Sequence, residues 1–121
     1  MTKILFCLRR RPELSHQEFL DYWSRSHGPL VIKASKISGI KRYIQNWTVP
    51  SKLGDAGAAM RGTSAEFDGV AEAWIEEEER QGALDSESGR AILEHIFADE
   101  RKFIDMERSV FFTVDEHVLI G

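Results

Sequence analysis

A chain of 121 residues has room for one domain with a substantial core, and two domains would each be too small. Apolar residues at 42% and charged ones at 30% give a globular balance, and the net charge of −4 offers no electrostatic footprint for nucleic acid or an anionic membrane. Cys7 is the one cysteine, which excludes an intramolecular disulfide framework, and no apolar run approaches the roughly 20 residues of a membrane helix.

In chain order, Lys3-Ile4-Leu5-Phe6-Cys7-Leu8-Arg9 reads as a mostly buried strand that ends at Arg9-Arg10-Arg11-Pro12. It is too short for a signal peptide, so a soluble, cytoplasmic protein is expected. Ser15 and Glu18 make a capping box. Phe19, Leu20, Tyr22, Trp23, Ser26, His27, Leu30, Val31 and Ala34 then recur at helical spacing and share one face, up to a C-cap at Gly39. Proline disfavours the α conformation of the residue before it, so this helix is expected to stop or kink near His27-Gly28-Pro29. Residues 40–49 alternate as a second strand, 51–66 read as a long loop, and 67–75 as a third strand. Glu76 to Glu79 read as a solvated helix start or turn. Residues 89–107 read as helical with an interruption near Asp99-Glu100, and 109–120 as a last, almost continuously apolar strand.

The order strand, helix, strand, strand, helix, strand suits an α+β, ferredoxin-like four-stranded antiparallel sheet with its helices on one face, over a single domain of residues 1–121. The strands are apolar on both faces. Ile4, Phe6 and Leu8 oppose Leu5 and Cys7, and Val110, Phe112 and Val114 oppose Phe111. Two helices cover only one face, so an identical subunit is the simplest cover for the other, giving a homodimer.

No histidine pair has metal-ligand spacing, no glycine fingerprint joins a strand to a helix, and no serine elbow is present, so no metal and no cofactor are expected. His27 stands out because it combines an apolar helix face with a break in the helix. Partial burial beside unsatisfied backbone groups suits a general acid/base, and equally suits a histidine that caps a helical segment and packs on Trp23. Tyr43 offers a phenol on the second strand. Tyr22, Trp23, Trp47, Trp74 and Phe103 are candidates to line a pocket between sheet and helices, although aromatic residues at such spacing also build ordinary cores. Asp99 or Asp105 could orient His27 if the fold brings them together.

Arg10-Arg11-Pro12, HQEFLDYWSRSHGPLV (residues 16–31), GIKRYIQN (39–46), GVAEAWI (69–75), ADERKFID (98–105) and VDEHVLI (114–120) together resemble the EthD family of dimeric α/β-barrel proteins. That family is named after a gene cluster for breakdown of an alkyl ether. The resemblance implies subunits that pair sheet to sheet, with ligand pockets between sheet and helices. His27 matches the family's histidine and Tyr43 its strand tyrosine. The function expected is cofactor-free acid/base chemistry on an apolar carbonyl-bearing compound: dehydration, isomerisation, cyclisation or oxygenation. The alternative is a non-catalytic protein binding a hydrophobic small molecule in the same cavity. An RNA-binding module shares the element order, but its third strand would carry basic residues where FDGVAEAW has two acids.

Overall fold

The computed structural model describes residues 1–121. Its strands are β1 (Thr2–Leu8), β2 (Ile40–Trp47), β3 (Gly69–Ile75) and β4 (Val110–Val114). They form one antiparallel sheet in the order β2-β3-β1-β4. Helices α1 (His16–Tyr22), α2 (Gly28–Ser38), α4 (Glu77–Asp85) and α5 (Glu87–Glu100) accompany it, with α3 (Lys52–Arg61) between β2 and β3. This is the ferredoxin-like α+β arrangement that the element order implies.

The capping box forms as the sequence suggests: Glu18 N–H donates to Ser15 Oγ, and Ser15 N–H donates to Glu18 Oε1 at 2.9 Å. The α-helical ladder is interrupted near His27-Gly28-Pro29 as the sequence suggests, with Pro29 in the first turn of α2, but the chain does not leave helical geometry there. Trp23–His27 instead form a π-helical turn that joins α1 to α2, with Gly28 in right-handed helical geometry and its N–H donating to the Trp23 carbonyl. The wider turn accommodates a proline that has no N–H for the α-helical ladder and whose ring would crowd the preceding turn. The apolar stripe therefore continues unbroken through Phe19, Trp23, His27, Val31 and Ala34, all of them buried. Gly39 ends α2 at φ 81°, where an added Cβ would stand 2.7 Å from the Glu76 carbonyl oxygen.

Two further segments depart from the sequence reading. Residues 52–61 are helical rather than loop, capped by Ser51 at one end and left-handed Gly62 at the other, yet none of them is buried. Capping and alanine content form this helix without the apolar period that would have marked it. The last strand stops at Val114. Val118, Leu119 and Ile120 lie almost fully exposed, because they have no neighbouring strand in the single chain. The helical segment expected at 89–107 ends at Glu100, followed by turns and a short 3-10 helix at Met106–Arg108. There the chain doubles back onto the end of β1: Arg11 N–H donates to Phe103 O and Asp105 N–H to Arg9 O.

Side chains of β1 and β3 alternate, so Ile4, Phe6, Leu8, Ala71, Ala73 and Ile75 face the helices. Leu5, Cys7, Val70, Glu72 and Trp74 face the other way. An irregularity in the β2–β3 register between Ile40 and Arg42 turns both Ile40 and Tyr43 toward the helices. The core centres on Leu8, Phe19, Trp23, Phe103 and Ile104. Gly69 makes part of it possible, since a Cβ there would lie 2.5 Å from the Trp23 ring.

Candidate active site

A cavity of about 150 Å³ lies between the sheet and the helices. Its wall is apolar, built from Ile4, Phe6, Leu8, Val31, Leu93 and Ile96 among others. Four groups with polar atoms interrupt it: His27, Tyr43, Arg80 and Glu100, with the Trp23 indole beside Tyr43. Phe97 and Phe111, 41% and 61% exposed, also belong to the wall, so the cavity reaches the surface between α5 and β4.

His27, 3% exposed, stands at the C-terminal end of the π turn. Its Nδ1 lies 2.8 Å from Asp99 Oδ2, and the Tyr22 hydroxyl donates to Asp99 Oδ1 at 2.6 Å. Lys102 Nζ is 3.5 Å from the same Oδ1. Asp99 is thus a buried carboxylate whose oxygens each have a donor. Burial alone would raise its pKa, but the hydrogen bonds from Tyr22 and His27 outweigh burial and hold it below the ordinary value. The same arrangement pushes the Tyr22 phenol up to about 12, through burial first and the neighbouring carboxylate second.

Burial lowers the pKa of His27, only partly offset by Asp99, so the ring is neutral at pH 7. An acceptor at Nδ1 fixes the tautomer that carries its hydrogen there. Nε2 then holds a lone pair, and no hydrogen bond engages it: the nearest acidic oxygen, Glu100 Oε2, is 3.9 Å away. The Phe103 ring packs 5.1 Å from the imidazole and limits its tilt.

Tyr43 presents the complementary group. Trp23 Nε1–H and Gln45 Nε2–H both donate to its oxygen at 3.1 Å. The Gln45 amide orientation follows from its other partners, since Nε2 also donates to Trp23 O while Oε1 accepts from Trp47 Nε1. The Tyr43 oxygen accepts twice, and its own O–H has no acceptor within the chain. Burial raises the phenol's pKa and the two donors draw it back in part, so the hydroxyl keeps its proton at neutral pH.

The structure brings together His27, Tyr43 and Trp23 among the residues singled out from the sequence. Tyr22 and Phe103 lie behind His27, holding Asp99 and the ring rather than lining the cavity. Trp47, half exposed, touches the site only through Gln45. Trp74 is on the opposite face of the sheet, under Lys3 and Arg42. Asp99, not Asp105, is the carboxylate that reaches His27. Glu100 and Arg80 were not anticipated. The signal for Glu100 was its place on the apolar row Leu93, Ile96, Glu100 of α5, where a carboxylate is out of keeping.

A larger cleft of about 530 Å³ lies at the other end of the sheet, lined by Arg9, Arg10, His16, Thr48, Asp68 and Arg108 among others. Its polar groups are mostly bound to one another. Asp68 receives Arg10 N–H at 2.8 Å, the Arg10 guanidinium at 2.9 Å and His16 Nδ1 at 2.7 Å. His16 Nε2 lies 2.8 Å from Thr48 O, so neither ring nitrogen is free. Arg9 is held by the carbonyls of Ala65 and Glu66 and by the Phe67 ring. No three His, Cys, Asp or Glu side chains anywhere are grouped to hold a metal ion, and no helix is long and apolar enough to cross a membrane.

A family model described as the EthD domain matches residues 11–107. The chain belongs to the EthD family. That match takes in α1, the π turn, Tyr43 and the Asp99-Glu100 pair. Among solved structures, an ethyl tert-butyl ether D (EthD) family protein from Bacillus halodurans C-125 is similar in fold, with a TM-score of 0.59 at 22% identity, covering 97% of this chain and 100% of the other. No curated protein matches the chain. Membership in the EthD family agrees with the sheet order and helix placement, while the chemistry has to be argued from the cavity itself.

Proposed function

We propose that this EthD protein is an enzyme that moves protons on a small, apolar, carbonyl-bearing compound using side chains alone. The observation that carries the proposal is the place of His27 Nε2: Asp99 orients the imidazole through Nδ1, and Nε2 faces an apolar cavity without a hydrogen-bond partner. Asp99 keeps the hydrogen on Nδ1, so Nε2 acts as the base toward a carbon next to the carbonyl. The Tyr43 hydroxyl donates to the carbonyl oxygen as negative charge develops there, and the low-polarity wall strengthens that hydrogen bond. A cavity of about 150 Å³ suits a single ring-sized molecule.

The open face of the sheet supports a second part of the proposal. Leu5, Cys7, Val70 and Phe112 share it with an ion pair, Lys3–Glu72 at 2.6 Å. We infer that a second copy of the chain covers this face. Sedimentation at micromolar concentration gives a dimer on this account, and a monodisperse monomer contradicts it.

The test of the chemistry is exchange of the α-protons of cyclohexanone for deuterium, followed by NMR. The wild-type protein accelerates exchange, and His27→Ala lowers the rate by about 10²-fold or more. A His27→Ala variant that exchanges at the wild-type rate rules out the assigned base. A wild-type protein that binds the ketone in the cavity without exchanging its protons is a binding protein instead.

A further inference from the structure

Glu100 has no assigned task in the chemistry above, yet its carboxyl is only 19% exposed, lines the cavity and forms no hydrogen bond. A carboxyl largely withdrawn from water and without a hydrogen-bond partner costs stability, and a task at the cavity accounts for its presence there. It lies 3.9 Å from the free nitrogen of His27, too far for a direct hydrogen bond and close enough for both groups to reach one small ligand.

We infer that Glu100 is the second proton carrier of this site, and that His27 and Glu100 together move a proton between two carbons of a β,γ-unsaturated ketone. The inference rests on the acid–base reading of His27 and adds the substrate class and the direction of proton flow. His27 Nε2 takes a proton from the α-carbon: the C–H bond breaks, an N–H bond forms, and the electron pair moves into a dienolate whose oxygen accepts from Tyr43. The Glu100 carboxyl gives its proton to the γ-carbon: its O–H bond breaks, a C–H bond forms, and the double bond comes to rest beside the carbonyl. The imidazolium and carboxylate that remain reset when one proton passes from Nε2 to the carboxylate. Nothing is oxidised or reduced, and no proton is gained or lost.

The surroundings of Glu100 suit this task. Arg80 faces it from α4, Asp99 and Arg101 adjoin it on its own segment, and His27 and Tyr43 face it across the cavity. Lys102 is directed to Asp99, and Arg80 Nε is tied to Ser38 O at 2.6 Å. Burial outweighs the two arginines and, with the charge on Asp99, pushes the carboxyl up to about 7. Near neutrality it therefore holds a transferable proton while His27 is unprotonated. The remaining wall is hydrophobic and places nothing beyond Tyr43 and Arg80 to bind a hydroxyl, which favours a substrate changed by proton movement over one that loses water.

Cyclohex-3-en-1-one in D₂O is the probe, with NMR reading α-deuteration and conversion to cyclohex-2-en-1-one separately. The wild-type protein does both. Glu100→Gln lowers the ratio of isomerisation to α-exchange by about 10²-fold, and Glu100→Asp, with the acid drawn back, recovers part of that ratio. Wild-type isomerisation falls as pH rises above 7, and that fall is absent from the residual rate of Glu100→Gln. Isomerisation by Glu100→Gln at the wild-type rate overturns the inference. So does an equal loss of both reactions in a variant with a native-like amide spectrum, which makes Glu100 a positioning group for His27. A wild-type protein that exchanges α-protons without isomerising overturns the inference and leaves the His27 reading standing, whereas one that does neither overturns both.

Discussion

Two histidine–aspartate pairs join distant parts of this chain, and they differ in one ring nitrogen. His16 and Asp68 meet at the end of the sheet, where Asp68 also takes the backbone and guanidinium of Arg10 and where His16 Nε2 lies on the Thr48 carbonyl. His27 and Asp99 meet between the sheet and the helices, where Nε2 faces a cavity and has no partner. The first pair ties the end of β1, the start of α1 and the segments flanking β2 and β3. The second leaves a ring nitrogen unpaired at the cavity, where the proposed chemistry needs its base. A histidine paired with an aspartate is therefore not in itself a reactive site; the nitrogen left over decides.

Separating the two pairs by mutation sharpens this contrast. The largest effect is expected from Asp99→Asn, whose amide presents a donor to Nδ1 and moves the ring hydrogen to Nε2. Deuterium exchange of cyclohexanone falls by about 10²-fold with the fold retained, and an unchanged rate breaks the contrast. Next is pH. The Glu100 carboxyl sits at about 7 in the folded protein against 4.5 as an isolated group, so the folded state binds the extra proton. Its contribution to stability is complete below pH 4.5 and is lost as pH rises through 7, by up to about 3 kcal/mol. Glu100→Gln removes that decline in urea unfolding measured from pH 5 to 8. His27 acts in the opposite sense: its lowered pKa contributes stability above pH 6.5 that is lost as pH falls through the folded value.

Asp68→Ala costs about 2 kcal/mol in urea unfolding, because it strands the Arg10 amide and releases the partly exposed Arg10 guanidinium and His16 ring. Exchange by the folded fraction stays at the wild-type rate. Asp68 itself is held below the ordinary carboxylate range, since burial is outweighed by the Arg10 amide and by His16, so the clasp loosens only as acid protonates it. The smallest effect is Trp74→Ala, on the far face of the sheet: cavity exchange is unchanged, and a lost rate there contradicts the separation of the two faces.

Much of this was readable in the sequence. The element order determined the sheet, and the apolar row from Phe19 to Ala34 turned His27 inward. The π turn was not readable, because the α-helical penalty of proline is all that a Gly-Pro pair displays; one wider turn cancels the penalty without altering composition. The helix over 52–61 stayed hidden because it buries nothing, and periodicity reports only what is buried. Trp74 and Trp47 resemble Trp23 in type, and only register and position along a strand separate a cavity wall from the opposite face. The pairing of Asp99 with His27 spans 72 positions and depends on how α5 crosses the π turn, which no local pattern encodes.

The account stands on the state of one ring. Two-dimensional ¹H–¹⁵N NMR of the histidine side chains at pH 7, assigned through His27→Ala, reads that state directly. The expected spectrum shows His27 neutral, with its hydrogen on Nδ1 and a bare Nε2 whose resonance shifts when cyclohexanone is added. A hydrogen resident on His27 Nε2, or an imidazolium at pH 7, contradicts the assignment of this nitrogen as the base.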